Sequence, residues 1–500
     1  MTSGLEGQSY DLHYGGAFQP SRGAARLEVR SPATRALLAT VPVATSEDVA
    51  AAAASAARAF PTWAAVDTGE RARLLRALAD IVRARIGDLA AIESAVTGRP
   101  IREMRAQMSR IPEWLEYFAG IILGLEGESN HVKGGFLTYT TYQPYGVCAL
   151  LTPWNHPVLI LVKKLAAALA AGNCCLIKPS ELAPVSPLIL ADWCREAGLP
   201  AGAVNVVTGG GATGAAVVAA PEVKRIDLTG GTATGRRVAA AAAERLVPCT
   251  LELGGKAPVI VAEDADIDEA AAGAVFAAFV AAGQTCVSGT RFIVAGPVYD
   301  RLVERLSERT KALKVGDPAD PTTEMGPVIS AAAQERCLEH ISAAQKEGAR
   351  LVAGGGKPGG LPAPCAEGFY VAPTVFADVD PSSRLFSEEV FGPVVGILRY
   401  KDEADAIRLA NATDFALGGA IWTKDVGRAH RLAHKLEAGV IWINDHHKND
   451  PRSVWGGWGA SGYGKENGWD ALKSYLKKKS VVTRTEPVFT DWFGGGARYG

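Results

Sequence analysis

The sequence predicts an α/β protein of two doubly wound parallel-sheet domains, one of them Rossmann-like, plus a small β arm. Three observations carry this. The chain has 500 residues, more than one hydrophobic core ordinarily serves. From Cys174 to Leu253, short apolar runs alternate with alanine-rich stretches, the pattern of parallel strands covered by helices on both faces. The alternation then restarts at Val259, as a second such unit would.

Taken in order, Glu47 to Phe60 reads as a helix and Glu70 to Glu93 as a longer amphipathic one. Thr138 to Leu151 (TYTTYQPYGVCALL) reads as two strands joined at the Pro-Tyr-Gly bend. Helices are expected at Val158–Ala171, Val185–Ala197, Ala212–Ala220 and Arg236–Arg245. Strands are expected at Cys174–Lys178, Val204–Val207, Arg225–Leu228 and Cys249–Leu253. The second unit has strand Val259–Ala262, helix Ile267–Val280, strand Arg291–Ala295 and helix Val298–Leu313. Near the end, KSYLKKK reads as a basic helix end and SVVTRTEPV as an exposed strand that pairs with another chain.

Composition narrows function. Lys plus Arg number 52 against 53 Asp plus Glu, so no net field selects nucleic acid or an anionic membrane. Met1 to Tyr10 lacks a basic stretch followed by an apolar one, and no apolar run is long enough to span a bilayer. The eight cysteines have neither disulfide-framework nor zinc-ligand spacing, so no metal is expected and the compartment reads as reducing cytoplasm. Cys174 and Cys175 read as core.

Three residues can carry chemistry. Cys286 lies in AAGQTCVSGTR, where Gly283 and Gly289 allow the backbone to approach a ligand closely. Glu252 in LELGGKAP stands at the end of a predicted parallel strand, where such sheets bind ligands. Asn155 in LTPWNHP follows another, with an amide able to donate to a developing oxyanion. A thiolate, an oxyanion donor and a carboxylate base together suit oxidation of an aldehyde through a thioester, with hydride leaving to a nicotinamide. Gly209, Gly211 and Gly214 form a literal GxGxxG with Asp227 downstream, which read conventionally would seat a pyrophosphate and a ribose.

With PWNHP, KPSE, TGGTATG, LELGG, GQTC, EEVFGPV and SGYGKENG in that order, the chain resembles the aldehyde dehydrogenase superfamily from about Tyr14 to Val482. The resemblance implies Cys286 as nucleophile, Glu252 as general base, and Asn155 with the backbone N–H of Cys286 as oxyanion hole. It implies NAD held by Thr152, Pro153, Trp154, Lys178, Glu181, Gly211, Gly230, Gly231, Gly235, Leu253, Glu389 and Phe391, the phosphates lying at the Gly230–Gly231–Gly235 turn. A carboxylate at Glu181 favours NAD over NADP. The implied domains are 1–131 with 146–251 for NAD and 252–474 for catalysis. An oligomerisation arm at 132–145 with 475–487 makes a homodimer or homotetramer, and 488–500 forms a tail. Departures are Gly231 for the usual Ser, Ala282 for the usual Asn, and Gly459 for the usual Lys.

The same resemblance implies a substrate pocket of His156, Leu159, Lys163, Val280, Thr285, Val287, His447, Asn449 and Trp455. Betaine-aldehyde enzymes carry a tryptophan like Trp455, but a cationic box that includes Lys163 is self-defeating. Lys163 is instead expected to meet a carboxylate or hydroxyl on a semialdehyde or hydroxyaromatic aldehyde. Trp492, Phe493 and Tyr499 of the tail are expected to cover a pocket entrance. Two alternatives stand beside this reading: a CoA-acylating semialdehyde dehydrogenase, against which Glu252 argues, and a catalytically silent nucleotide-binding relative.

Overall fold

Val147–Thr152 and Cys174–Pro179 are apolar on both faces, and each is buried along its whole length. That is what a central parallel strand requires. In the computed structural model, which describes residues 4–133, 135–485 and 491–496, they pair side by side with Leu150 opposite Ile177. The first sheet runs Gly462–Tyr463, Cys249–Glu252, Val223–Thr229, Val147–Thr152, Cys174–Pro179, Val204–Val206, Leu12–Tyr14, Ala17–Gln19. Its five central strands are parallel and the outer ones antiparallel.

From Val147–Thr152 the chain winds one way across the sheet, and from its neighbour Val223–Thr229 it winds the other. The connections after Thr152 and Thr229 therefore diverge, opening a crevice at the carboxyl ends of these strands. Helix Pro157–Ala170 leaves from one lip and Thr232–Glu244 from the other.

The second sheet is ordered Arg350–Ala353, Thr374–Ala377, Val394–Tyr400, Gly289–Ala295, Ala257–Val261, Gly418–Trp422, Val440–Ile443, parallel except for its first pair. Each large sheet has its own core, one centred on Leu150 and Leu176, the other on Ile260 and Phe292. Trp154 packs against both. A third sheet joins Ser129–Val132, Phe136–Pro144 and Leu476–Arg484 in antiparallel register. Among the described residues no helix is long and apolar enough to cross a membrane.

Several expectations need correction. The helix expected over Glu70 to Glu93 is two, Thr68–Ala84 and Ile86–Thr97. They break at Arg85 (φ −120°, ψ 22°), whose guanidinium pairs with Glu196 at 2.6 Å and lies over Trp193. The last helix stops at Ser474, and Leu476–Lys479 of KSYLKKK is strand, Lys478 lying opposite Tyr142. Here the sheet ladder overrides the helix propensity of lysine. The strand thus has its partner within the chain, along one edge. The arm begins earlier than the expected 132–145, its first strand being Ser129–Val132, while 486 and 487 lie outside the described residues. Residues 462–474, expected with the second unit, join the first. Gly462 pairs with Glu252, and Ala471 and Leu472 enter the first core. Of the tail, Trp492 and Phe493 are exposed and line neither cavity described below, and Tyr499 lies outside the described residues.

Candidate active site

The crevice lip after Thr152 carries Pro153, Trp154 and Asn155. Asn155 is buried, and one N–H of its amide donates to the carbonyl of Gln284 at 2.9 Å, joining the first sheet's lip to the loop before Cys286. That loop is unusual. Ala281 (φ 54°), Ala282 (φ 53°) and Gly283 (φ 70°) are left-handed in succession. For alanine this costs about 1–2 kcal/mol per residue. The conformation is held by Gln284, whose Nε2 donates to Ala281 O at 3.0 Å and whose Oε1 accepts from Ile329 N at 2.9 Å. The turn delivers Cys286 just ahead of strand Gly289–Ala295.

Glu252 ends its strand, and both its carboxylate oxygens are buried with no hydrogen-bond partner among the described residues. Three glycines stand where side chains would intrude. A Cβ on Gly456 would strike Glu252 Oε1, one on Gly255 the carbonyl oxygen of Cys286, and one on Gly254 the carboxylate of Glu389.

Two cavities meet at this point, and Cys286 lines both. The first, about 700 Å³, runs from Cys286, Asn155, Glu389 and Phe391 past Thr152, Pro153, Trp154 and Leu253 to Lys178 and Glu181. Gly211, Gly230 and Gly231 line it too. Gly235 does not, but a Cβ there would strike Leu253. The second, about 570 Å³, is lined by Glu252, His156, Leu159, Lys163, Val280, Thr285, Val287, His447, Asn449 and Trp455. Every expected pocket position therefore lies on one wall system, and every expected cofactor position except Gly235 on the other.

The first cavity fits a dinucleotide. Two helices, Gly211–Ala219 and Thr232–Glu244, begin at its edge, and helix N-termini present free N–H groups to phosphate. Lys178 and Glu181 pair at 3.4 Å at one end; Gly255 N donates to Glu389 Oε1 at 2.9 Å near the other. The conventional reading of the GxGxxG fails at Asp227. That carboxylate is buried, bonded to Tyr475 Oη at 2.6 Å and to Lys164, and lines neither cavity.

Lys163 departs from expectation. It is buried, its ammonium 2.7 Å from Glu466 Oε2 and 4.6 Å from the centre of the Trp455 ring. Lys164, one residue on, pairs with both Glu466 and Asp227. Against the cost of burial, the two lysines hold Glu466 well below the usual carboxylate range. The other cations of the second cavity are matched as well: Arg99 with Glu103, Arg110 with Glu113 at 2.8 Å, Arg102 with Glu324 at 3.6 Å.

Burial, then the charge of Glu466, pushes Glu252 well above the usual carboxylate range, the direction that strengthens a carboxylate as a base. Burial, then Glu252, pushes the Cys286 thiol up to about 12. The resting sulfur is therefore a thiol.

Sequence reasoning missed Glu466, Lys164, Arg99 and Gln107. The first two left a signal, since a lysine doublet inside an apolar helix demands buried acids. Gln107 left none, because the short polar helix Ile101–Met108 looks solvent-facing, and Arg99 lies in the irregular stretch just before it.

Residues 18–481 match the profile described as the aldehyde dehydrogenase family. A betaine aldehyde dehydrogenase of Cereibacter sphaeroides is 44% identical over 465 residues, 93% of this chain and 95% of that protein. PnpE from Pseudomonas sp. WBC-3 superposes with a TM-score of 0.95 at 40% identity, covering 97% of this chain and 100% of that one. A PnpE structure holding nicotinamide adenine dinucleotide gives 0.94, again at 40% identity, covering 97% of this chain and 99% of that one. Betaine aldehyde dehydrogenase from Staphylococcus aureus with NAD+ gives 0.94 at 34% identity, with 97% of each chain covered.

Proposed function

Since the chain belongs to the aldehyde dehydrogenase family and is an NAD-dependent oxidoreductase, we propose that it converts an aldehyde to its carboxylate through a thioester on Cys286. The observation that carries this is the position of Cys286 on the wall of both cavities, so that a carbonyl held in one and a nicotinamide held in the other would meet at the same sulfur. The Cys286 thiol passes its proton to solvent water as sulfur bonds to the carbonyl carbon. The Asn155 N–H not used by Gln284 and the backbone N–H of Cys286 donate to the resulting oxyanion. NAD, when bound, supplies the hydride acceptor. Glu252 then removes a proton from the water that opens the thioester, releasing the acid.

We assign adenosine hydroxyls to Lys178 and Glu181, and preference for NAD over NADP to the Glu181 carboxylate, which repels a 2′-phosphate. The arm supports a homodimer or homotetramer, and the reaction belongs in the cytoplasm. The relatives named for betaine aldehyde do not extend that substrate here, because Lys163 already occupies the face of Trp455. A polar aldehyde, hydroxyaromatic or carboxylated, suits the second cavity better, though Lys163 is engaged by Glu466 and is not its anchor.

A burst of NADH with aldehyde, matched to the enzyme concentration and abolished in Cys286→Ala, tests the reading. NADH formation that survives in Cys286→Ala would end it.

A further inference from the structure

The second cavity holds two imidazoles whose protons are assigned by their partners. Arg99 Nη1 lies 2.6 Å, and Gln107 Nε2 2.9 Å, from Nδ1 of His156. A guanidinium can only donate. The Gln107 amide is oriented by the same arginine, which donates to its Oε1 at 3.0 Å, so the group facing the ring is the NH2. Nδ1 of His156 therefore accepts, and its proton sits on Nε2. Burial and then Arg99 hold His156 well below the usual imidazole range, so the ring stays neutral.

His447 is arranged in the opposite sense. Its Nε2 lies 3.3 Å from the carbonyl oxygen of Ala277, which can only accept, so Nε2 carries the proton and Nδ1 is left as an acceptor. Burial pushes this ring down to about 4. Neither Nε2 of His156 nor Nδ1 of His447 has a hydrogen-bond partner among the described residues. The cavity thus offers one fixed donor and one fixed acceptor between aromatic walls that include Trp114, Phe276 and Phe279.

On the aldehyde-oxidising reading above, we propose that His156 is the specificity-determining residue for a hydroxylated, preferably aromatic, aldehyde. Its Nε2–H donates to the substrate's hydroxyl, and Arg99 and Gln107 are the positioning residues that hold that tautomer. A hydroxyl can also donate to His447 Nδ1. A carboxylate would turn lone pairs toward that nitrogen, and it would find each cation of the cavity already paired with an acid. A methyl ether can accept but cannot donate.

The test assays the enzyme with NAD on benzaldehyde and on its hydroxy, methoxy and carboxy derivatives at each ring position. One hydroxybenzaldehyde should exceed both benzaldehyde and its methoxy counterpart in kcat/KM by about tenfold or more, and His156→Phe should erase that ratio. Gln107→Glu sets a carboxylate beside Nδ1 and favours the charged ring. Its carboxy-to-hydroxy ratio, divided by the wild-type ratio at the same pH so that ionisation of the phenol cancels, should then rise as pH falls from about 8 to about 6. A wild type without hydroxyl preference, a preference that survives His156→Phe, or no rise of that normalised ratio in Gln107→Glu overturns the proposal. An NADH burst with any of these aldehydes meanwhile leaves the aldehyde-oxidising reading standing. No burst with them or with aliphatic aldehydes overturns that reading, and the proposal with it.

Discussion

The ammonium of Lys163 lies 4.6 Å above the centre of the Trp455 ring while bound to Glu466 at 2.7 Å. An aromatic face in the second cavity is thereby filled by a cation belonging to the protein. Lys163→Met should free it. The kcat/KM of a trimethylammonium aldehyde, taken relative to a neutral aldehyde of equal length, should rise about tenfold. Glu466 keeps Lys164, so chemical denaturation should show a loss of about 1–2 kcal/mol, below the 3–5 typical of a carboxylate left alone. An unchanged substrate ratio would mean the ring face does not govern charge selection.

Glu252→Gln separates the two halves of the reaction. Glutamine cannot draw a proton from water, so steady-state turnover should fall by about 10²–10⁴ while rapid mixing still shows NADH formed in the first cycle. Turnover close to wild type would remove Glu252 from the hydrolytic step.

The thiol of Cys286 is pushed up to about 12 by burial and then by Glu252, so only a trace is ionised at neutrality without cofactor. Alkylation by iodoacetamide should accordingly speed up about tenfold per pH unit from pH 7 to 10. Peptide-resolved mass spectrometry is required, because Cys249 is also partly exposed. A plateau below pH 9 would show that the sulfur is ionised at rest.

Gly456→Ala and Gly254→Ala should fail in different ways. The first, at φ 132°, drives a methyl into Glu252 and should imitate Glu252→Gln, keeping the burst and losing turnover. The second displaces Glu389 and should raise the KM for NAD about tenfold or more, with a smaller change for aldehyde. Equal effects on both substrates in both variants would contradict the assignment of one carboxylate to each cavity.

Glu181→Ser tests cofactor choice. Removing the carboxylate should raise kcat/KM with NADP, relative to NAD, by about tenfold or more. If the ratio stays put, discrimination resides elsewhere on that wall, where Arg237 also stands.

Much of this site is readable from sequence because its pieces are local. Glu252 ends a strand beside a glycine pair, Asn155 follows another strand, and each lands where parallel sheets open. Long-range pairing is what the sequence hides. Lys163 reads as a free cation until the chain returns Glu466 to it, and the Lys164–Glu466 contact spans 302 positions. The proton on His156 depends on a helix whose own pattern looks solvent-facing. Likewise, nothing local to KSYLKKK announces a ladder with Phe136–Pro144.

Positions 254, 255 and 456 each press bare backbone against a reacting group or the carboxylate beside it. A larger residue at 255 would meet backbone, and one at 254 or 456 would push a working carboxylate out of place, so these walls resist change as the protein diverges. Variation in which molecules are oxidised must then be written on the opposite side, at 156, 163 and 447. Laboratory evolution toward a new aldehyde should accumulate its changes there and leave the three bare positions untouched.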